Sequence, residues 1–152
     1  MTTTAYGLDE LKALAGRDLG HTGWLEITQD RVNTFAEATN DHQWIHVDLE
    51  RAEDGPFGGP IAHGYLTLSL LIPLFNELLD IQGVTMCINY GLNKMRFPSP
   101  VKVGAKIRLA GKVAEVEEVP GGGVQMLMDF IVEIDGSGKP ACVVQAVYRY
   151  YA

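Results

Sequence analysis

A long apolar stretch, from Gly59 to Asp80, places the strongest constraint on how this chain can fold. Between Ile61 and Phe75 it carries no charge after His63, and its apolar side chains fall on nearly every side of a helix. A helix at the surface of a protein shows only an apolar stripe, so this one is expected to be enclosed by the rest of the chain. It is too short and too interrupted to span a bilayer, which needs about 20 apolar residues.

Two prolines frame the predicted course of this helix. Pro60 follows two glycines and stands at the predicted first helical position, where a missing N–H costs nothing. Pro73 falls inside the apolar run and predicts a kink, because proline cannot complete the helical hydrogen bond. We therefore predict one buried helix of about five turns, around which the rest of the chain is organised.

The length and charge of the chain limit the classes of protein it can be. A chain of 152 residues matches a single domain, taken as 1–152, with enough material for a real core. The net charge of −7 argues against nucleic acid as a partner. The first residues lack the pattern of a secretory signal, and Cys87 and Cys142 have no metal-type spacing. We interpret the cysteines as reduced thiols in a cytoplasmic protein without membrane insertion.

The segment before residue 59 contains the patterns of three helices and one strand. Leu8 to Ala15 places apolar residues on one helical face, and Thr22 to Ile27 is typical of a short strand. Gln29 to Thr39 is predicted as an amphipathic helix, with Thr28 as its N-cap. A further short helix is expected over Asp48 to Glu53, capped by its first residue.

Strand patterns dominate the chain after residue 80. Apolar and polar residues alternate from Met86 to Leu92, while Lys106 to Val119, Val124 to Ile134 and Ala141 to Tyr151 are predicted as three further strands. The apolar parity changes within the second strand, which predicts a β-bulge near Gly111. Because short turns join the long strands, we expect an antiparallel meander.

The fold class that fits these elements is α+β, with one antiparallel sheet wrapped around a single long central helix. A sheet of this kind has two edges, each with a row of unpaired backbone groups. Pairing one edge with the same edge of a second copy would hide it, so we expect a homodimer.

Asp41 and His46 form the first candidate for chemistry. Their spacing of five puts them on different faces of a helix or strand, so they converge only if the backbone turns between them. A turn is expected because both follow the end of the helix that closes at Thr39. A carboxylate and an imidazole brought together can hold one water and exchange protons with it near neutral pH. Trp44 and Ile45 would provide a dry wall.

His63 and Gly64, at the start of the apolar helix, form the second candidate. The first N–H groups of a helix have no internal partner, and glycine lets a ligand approach the backbone closely. A carbonyl oxygen that gains negative charge would find an oxyanion site there. This pattern favours addition next to a polarised carbonyl over nucleophilic cleavage.

Each candidate also has a purely structural interpretation. Asp41 can be an ordinary cap, His46 a core histidine bonded to backbone, and Gly64 a packing glycine. His42, His46 and His63 together raise a metal site, which we discount because no glutamate follows at a base position.

Two motifs in order along the chain carry a resemblance to a known family. Residues 40–46, Asn-Asp-His-Gln-Trp-Ile-His, and residues 59–64, Gly-Pro-Ile-Ala-His-Gly, are similar to the signatures G-D-x-N-P-x-H and P-x-x-H-G. Both belong to the MaoC-like (R)-specific enoyl-CoA hydratases, also called hydratase 2. Residues 89–98 resemble the NodN-like subgroup, and the resemblance extends from about Gln29 to the C-terminus.

The resemblance implies a hot-dog fold, a dimer with a tunnel for the acyl chain, and a hydro-lyase activity in fatty-acid metabolism. The expected reaction is reversible hydration of trans-2-enoyl-CoA to (R)-3-hydroxyacyl-CoA. By motif position, Asp41 and His46 would be the catalytic pair, with Asp41 as the base for water and His46 as the proton donor to C2. The opposite assignment stays open. The Gly64 N–H would be the oxyanion donor, with His63 beside it in the substrate-binding part of the site.

The remaining implications concern ligands and departures from the signature. No metal or organic cofactor is expected, because the CoA thioester is itself the substrate. Asn40, Gln43 and Trp44 replace the glycine, asparagine and proline of the signature, so Gln43 and Trp44 are candidates for lining the pocket. Lys94 and Arg96 are either a solvated strand face or contacts for the CoA phosphates.

Two other functions remain open on the same fold. One is acyl-CoA thioester hydrolysis, and the other is a non-catalytic acyl-CoA-binding accessory protein. The sequence leaves open the acyl-chain length, the choice between CoA and acyl carrier protein, and the pathway.

Overall fold

The computed structural model describes residues 1–152 and contains six helices and eight strands. The helices are α1 (Gly7–Lys12), α2 (Gln29–Thr39), α3 (Trp44–Val47), α4 (Leu49–Glu53), α5 (Gly64–Ser69) and α6 (Leu71–Leu78). The strands are β1 (Thr3–Tyr6), β2 (Asp18–His21), β3 (Leu25–Glu26), β4 (Leu79–Gln82), β5 (Met86–Arg96), β6 (Lys106–Val119), β7 (Gly123–Ile134) and β8 (Cys142–Tyr151). None of the helices has the length and apolar character that crossing a bilayer requires.

An antiparallel sheet in the order β2-β6-β7-β8-β5, with β3 also paired to β6, forms the larger layer. The predicted α+β class and the wrapping of the sheet around central helices are confirmed, and β6, β7 and β8 form the predicted meander. The strand β5 pairs with β8 rather than with its sequence neighbour β6, so β5 is one edge of the sheet. A separate parallel pair, β1 with β4, was not predicted from the sequence.

The core lies between one face of this sheet and helix α6. Alternate residues of β7 point inward, as the strand pattern predicts, and they meet one face of the helix. The following members of this core are each no more than 2% exposed: Leu109, Met126, Met128, Phe130, Leu74 and Leu78.

The central apolar segment differs from its prediction in two ways. It forms two helices, α5 and α6, that meet at Leu70, and Pro73 is the third residue of α6. A proline ring clashes with the carbonyl four residues earlier, here that of Ser69, so the helix breaks before the proline instead of kinking at it. The segment is also not enclosed on every side, because Tyr65 is 67% exposed.

The predicted helix start at Pro60 is wrong as well. The helix begins at Gly64 because the residues before it are extended: Ile61 forms a β-bridge with Lys102, and the Ala62 N–H donates to the Val101 carbonyl at 2.8 Å. Backbone groups that are already paired in this way are not free for a helix.

The bulge in β6 lies between Val113 and Glu115 rather than near Gly111. Gly111 stays in register with Phe130, and a β-carbon on it would come within 3.1 Å of the Phe130 ring and 3.2 Å of a Leu78 methyl. This glycine therefore allows close packing of helix and sheet.

Candidate functional site

The backbone turn that separates Asp41 from helix α2 is made by Asn40. The Thr28 hydroxyl accepts from the Arg31 N–H at 3.2 Å, which confirms the predicted N-cap, and Asn40 ends the helix with φ 58° and ψ 28°. Asparagine adopts this left-handed conformation more readily than most other residues do, so it can replace the glycine of the signature. The Asp41 N–H closes the turn on the Ala36 carbonyl at 3.2 Å.

His46 lies in the short helix α3 and is buried. Its Nδ1 is 2.6 Å from the carbonyl oxygen of Ile61. A carbonyl only accepts, so Nδ1 carries the proton and Nε2 of the neutral ring keeps its lone pair. The side-chain amide of Gln29, from α2, holds the His46 carbonyl at 2.9 Å. The imidazole is therefore fixed in both tautomer and position.

His63 is the N-cap residue of α5 and is only 2% exposed. Its Nε2 donates to the Asp41 carbonyl at 3.0 Å, and its ring stacks on His46 with 3.8 Å between centroids and 23° between planes. Phe35 packs nearby, 4.8 Å from the His63 centroid. The His63 Nδ1 is buried and has no hydrogen-bond partner. His63 therefore lies where the sequence placed it, beside Gly64 and in contact with both members of the Asp41–His46 pair.

Asp41, His46 and His63 each bring one ligand-type atom to within 4.8 Å of the others. The predicted convergence of Asp41 and His46 therefore occurs. Two groups at this separation can share one water, because each hydrogen bond to it would be about 2.8 Å long. Asp41 is exposed while His46 is buried, so the pair spans the boundary between solvent and core.

The geometry of this cluster is poorly suited to binding a metal ion. Ring nitrogens bind metals in the plane of the imidazole at about 2.0 Å, and the two stacked rings hold their lone pairs in nearly parallel planes. His42, the third histidine of the candidate set, lies 3.7 Å from the Glu37 carboxylate, on the exposed side.

Burial lowers the pKa of His46 below its ordinary value of 6.5, and the charge of His63 acts in the same direction. The hydrogen bond to the Ile61 carbonyl and the charge of Asp41 oppose this shift. His46 is consequently neutral at pH 7, with Nε2 ready to accept a proton.

Gly64 is the first residue of α5, so its N–H has no partner within the helix. Gly64 directly follows His63, whose ring stacks on His46, so the start of α5 lies beside the Asp41–His46 pair. A β-carbon at position 64 would come within 2.9 Å of the Phe97 ring, which leaves room only for glycine or for a shifted phenylalanine.

The other residues that were predicted to line the pocket or contact CoA lie at separate places in the structure. Gln43 is exposed, and its N–H is 3.5 Å from an Asp41 carboxylate oxygen. Trp44 packs against the Arg51 guanidinium, 4.3 Å from the ring centroid, and against Gly55, so it braces α3 and α4. Arg96 is exposed and precedes the Phe97 that covers Gly64, whereas Lys94 lines a surface cavity with Asp129 and Val143.

A channel runs between the helices α5–α6 and strand β5, and the residues that line it were not predicted from the sequence. It consists of two adjacent cavities of about 350 and 410 Å³ that share Ile72, Asn89 and Tyr148. The near cavity begins at Leu68, one turn beyond Gly64, and the far cavity extends past Asp80 to Ile81 and Val84. The helices and β5 run in opposite directions, which no local sequence pattern reveals.

Comparisons with a family model, with related proteins and with solved structures all indicate the same family. Residues 10–127 match the family model described as "MaoC like domain". The chain is 51% identical over 143 residues to 3-hydroxyacyl-thioester dehydratase Z of Mycobacterium tuberculosis, covering 94% of this chain and 95% of that one. It is 42% identical to nodulation protein N of Rhizobium leguminosarum bv. viciae, covering 88% and 84%. The R-hydratase PhaJ1 of Pseudomonas aeruginosa superposes with a TM-score of 0.67 at 25% identity, covering 88% and 79%.

Proposed function

Since the chain belongs to the family of MaoC-like dehydratases, we propose that it catalyses the reversible hydration of trans-2-enoyl-CoA to (R)-3-hydroxyacyl-CoA. It is a hydro-lyase of fatty-acid metabolism, as its dehydratase relatives and the R-hydratase fold indicate. The observation that carries the proposed mechanism is the convergence of Asp41 and His46 beside the first turn of α5. Loss of enoyl absorbance from crotonyl-CoA on addition of the purified protein tests it directly.

The proposed chemistry begins at the thioester carbonyl. The Gly64 N–H donates to its oxygen, which makes C3 electrophilic and stabilises the enolate-like charge that develops after attack. Water held between Asp41 and His46 adds its oxygen to C3 and gives one proton to the pair. The electron pair of the C2–C3 bond moves towards the carbonyl, and the same pair returns a proton to C2, so that atoms and charge balance.

The hydrogen bond from His46 to Ile61 favours His46 over Asp41 as the base for water, unlike the first assignment from the sequence, while His46 remains the donor to C2 as first assigned. Neutral His46 has no proton on Nε2, so it cannot be the first donor. We therefore assign Nε2 of His46 as the base that takes the proton from water and then returns it to C2. Asp41 orients the water and stabilises the imidazolium that forms.

No metal or organic cofactor takes part in this scheme, because the thioester itself supplies the activation. The cytoplasmic location stays a prediction from the sequence.

The dependence of rate on pH follows from the lowered pKa of His46. The imidazole must be neutral to act as base, so kcat/KM should decline as the pH falls, with the midpoint of the decline below 6.5, the ordinary pKa of histidine. Initial rates with crotonyl-CoA between pH 5 and 8 measure this. A midpoint above the ordinary histidine pKa of 6.5 would contradict the assignment of His46 as a buried base.

His63 is proposed as a positioning residue for both members of the pair. His63→Phe keeps an aromatic ring against His46 but loses the donor to the Asp41 carbonyl, whereas His63→Gln keeps a donor near Nε2 and loses the ring. We expect about a tenfold lower kcat for His63→Phe with KM nearly unchanged, the effect of one lost hydrogen bond in a buried site. Partial rescue by His63→Gln, measured by the same assay, separates this role from a loss of folding.

Thioester hydrolysis is the alternative reaction on this fold, and release of free thiol without hydration would reveal it. Binding of acyl-CoA without turnover would reveal an accessory protein. The imidazole base beside a carboxylate argues against the accessory protein, since a binding pocket for an acyl chain gains nothing from groups that transfer protons.

A homodimer is proposed through β5. This strand has eleven residues, pairs only with β8, and exposes the apolar residues Met86, Ile88, Tyr90 and Leu92. A long apolar edge strand readily pairs with another chain, and a second copy of β5 would continue the sheet.

Ile88→Lys is expected to convert the dimer to a monomer, because a charge on an edge strand opposes pairing. Light scattering coupled to gel filtration measures the mass in solution. Ile131→Lys is the matched control: Ile131 is 45% exposed and Ile88 39%, but Ile131 lies on the central strand β7. Loss of the dimer in both variants, or a monomeric wild-type protein, would exclude pairing through β5.

A further inference from the structure

The channel described above has a polar far end, which the proposed reaction does not use. Strand β5 runs antiparallel to α5–α6, so Phe97 lies against Gly64, Leu92 faces the near cavity, and Cys87 reaches the far one. An acyl chain whose carbonyl sits at the Gly64 N–H would therefore extend along the helices towards Asp80. Placing the acyl chain here rests on the proposed function.

The far cavity, of about 410 Å³, mixes apolar walls with six polar side chains: Asn76, Asp80, Cys87, Asn89, Tyr148 and Tyr150. A pocket for a plain hydrocarbon tail needs only the apolar walls, such as Ile72 and Phe75. The polar side chains come from three elements, α6, β5 and β8, together with the start of β4. Their arrival at one cavity is a property of the tertiary structure.

Tyr148 and Tyr150 are the most deeply buried of these polar side chains. Tyr148 is 4% exposed and Tyr150 is 3% exposed, and burial raises the pKa of both phenols above their ordinary range. The ring of Tyr148 stacks on Phe75 with 5.5 Å between centroids, which fixes it in the wall. Both tyrosines line the cavity, and the hydroxyl of Tyr150 forms a hydrogen bond with the Cys87 thiol, whereas no such partner holds the hydroxyl of Tyr148.

A hydrocarbon tail in this cavity would remove water from these groups and return no hydrogen bond. Leaving a buried polar group unpaired costs about as much as a tenfold change in binding, or more. A hydroxyl at the end of the tail both donates and accepts, so it can pair with a phenol and with a side-chain amide. Asp80, whose carboxylate is held by the Gln82 amide at 2.9 Å, stands at the same end and disfavours an anionic tail.

We propose that the far cavity selects acyl chains that carry an uncharged hydrogen-bonding group, such as a hydroxyl, near their distal end. The distance sets a minimum length for these chains. At about 1.5 Å per residue, Ile72 and Asn76 lie roughly 12 Å and 18 Å along the helices from Gly64. Short substrates such as crotonyl-CoA do not reach the cavity.

The test compares trans-2-dodecenoyl-CoA with its ω-hydroxy analogue on the wild-type protein and on Tyr148→Phe. For the wild type, we expect kcat/KM about tenfold higher for the hydroxy analogue. In Tyr148→Phe this ratio should fall towards one, mainly because the hydrocarbon chain binds better once the hydroxyl is gone. Tyr151→Phe is the matched control, since it removes a phenol of the same strand that does not line the cavity, and it should keep the wild-type ratio.

Crotonyl-CoA distinguishes a failure of the proposed function from a failure of the inference about the far cavity. If crotonyl-CoA is not hydrated, the proposed function fails. If it is hydrated but the wild-type protein treats both long substrates equally, the inference about the far cavity is overturned, and its polar groups belong to contacts with the partner subunit. A preference that persists unchanged in Tyr148→Phe also overturns it.

Discussion

Asp41→Asn and His46→Asn should each lower kcat for hydration of crotonyl-CoA by about 10² to 10⁴-fold, the range for loss of a general acid or base. Asp41→Asn preserves shape but removes the charge that stabilises the imidazolium. His46→Asn is chosen because its amide nitrogen can still donate to the Ile61 carbonyl, where Nδ1 now lies at 2.6 Å, while the base Nε2 is deleted. The measurement is the initial rate at pH 7.5. The rate of each variant is divided by its concentration of folded protein and compared with the wild type.

The double variant shows whether the two residues act as one unit. If they share a water, removal of both should cost little more than removal of one, because effects of residues that act together are not additive. Thermal unfolding serves as the control, since His46 is buried and its loss also affects packing. Retention of wild-type rate in both single variants would remove the proposed mechanism.

Gly64→Pro should lower kcat by about 10² to 10³-fold relative to Gly64→Ala, the cost of one lost oxyanion donor. Proline is accepted at the first position of a helix, and the preceding residue, His63, already has the extended conformation that proline requires, with φ −63° and ψ 137°. The substitution therefore removes the N–H with little disturbance of the backbone.

Gly64→Ala is the matched control because it adds the same β-carbon but keeps the N–H. In both variants the added β-carbon crowds Phe97, whose ring lies 2.9 Å from the position of that carbon. The ratio of their rates isolates the hydrogen bond, and the loss in alanine alone measures the crowding. Equal rates for the two variants would show that the N–H at position 64 does not stabilise the transition state.

Local sequence rules predict a helix or strand correctly where the residues of that element themselves determine its bounds. Helix α2 has its predicted bounds and its Thr28 cap, and Asp48 caps α4 through the Arg51 N–H at 3.1 Å, as predicted. Strand β6 also has its predicted bounds. In each case, a capping oxygen or an alternation of apolar residues acts within a few positions, so one sequence contains the whole signal.

Local rules fail where a distant segment competes for the same backbone. Pro60 satisfies the sequence rule for a helix start, yet its carbonyl is taken by the Val103 N–H at 3.0 Å and the segment stays extended as far as His63. Likewise, the parity change in β6 predicts a bulge, but contact with Phe130 and Leu78 keeps Gly111 in register and moves the bulge towards Glu115.

The sequence by itself determined which residues meet at the site, because the ordered motifs around Asp41, His46 and Gly64 specify a helix end, a turn and a helix start. Only the tertiary structure decided the role of His63, which stacks on His46 and holds the Asp41 carbonyl. It also decided that β5 lies beyond β8 and so completes a channel with α5–α6. These contacts join residues far apart in the chain, and such packing is fixed by the shape of the whole core rather than by any local period.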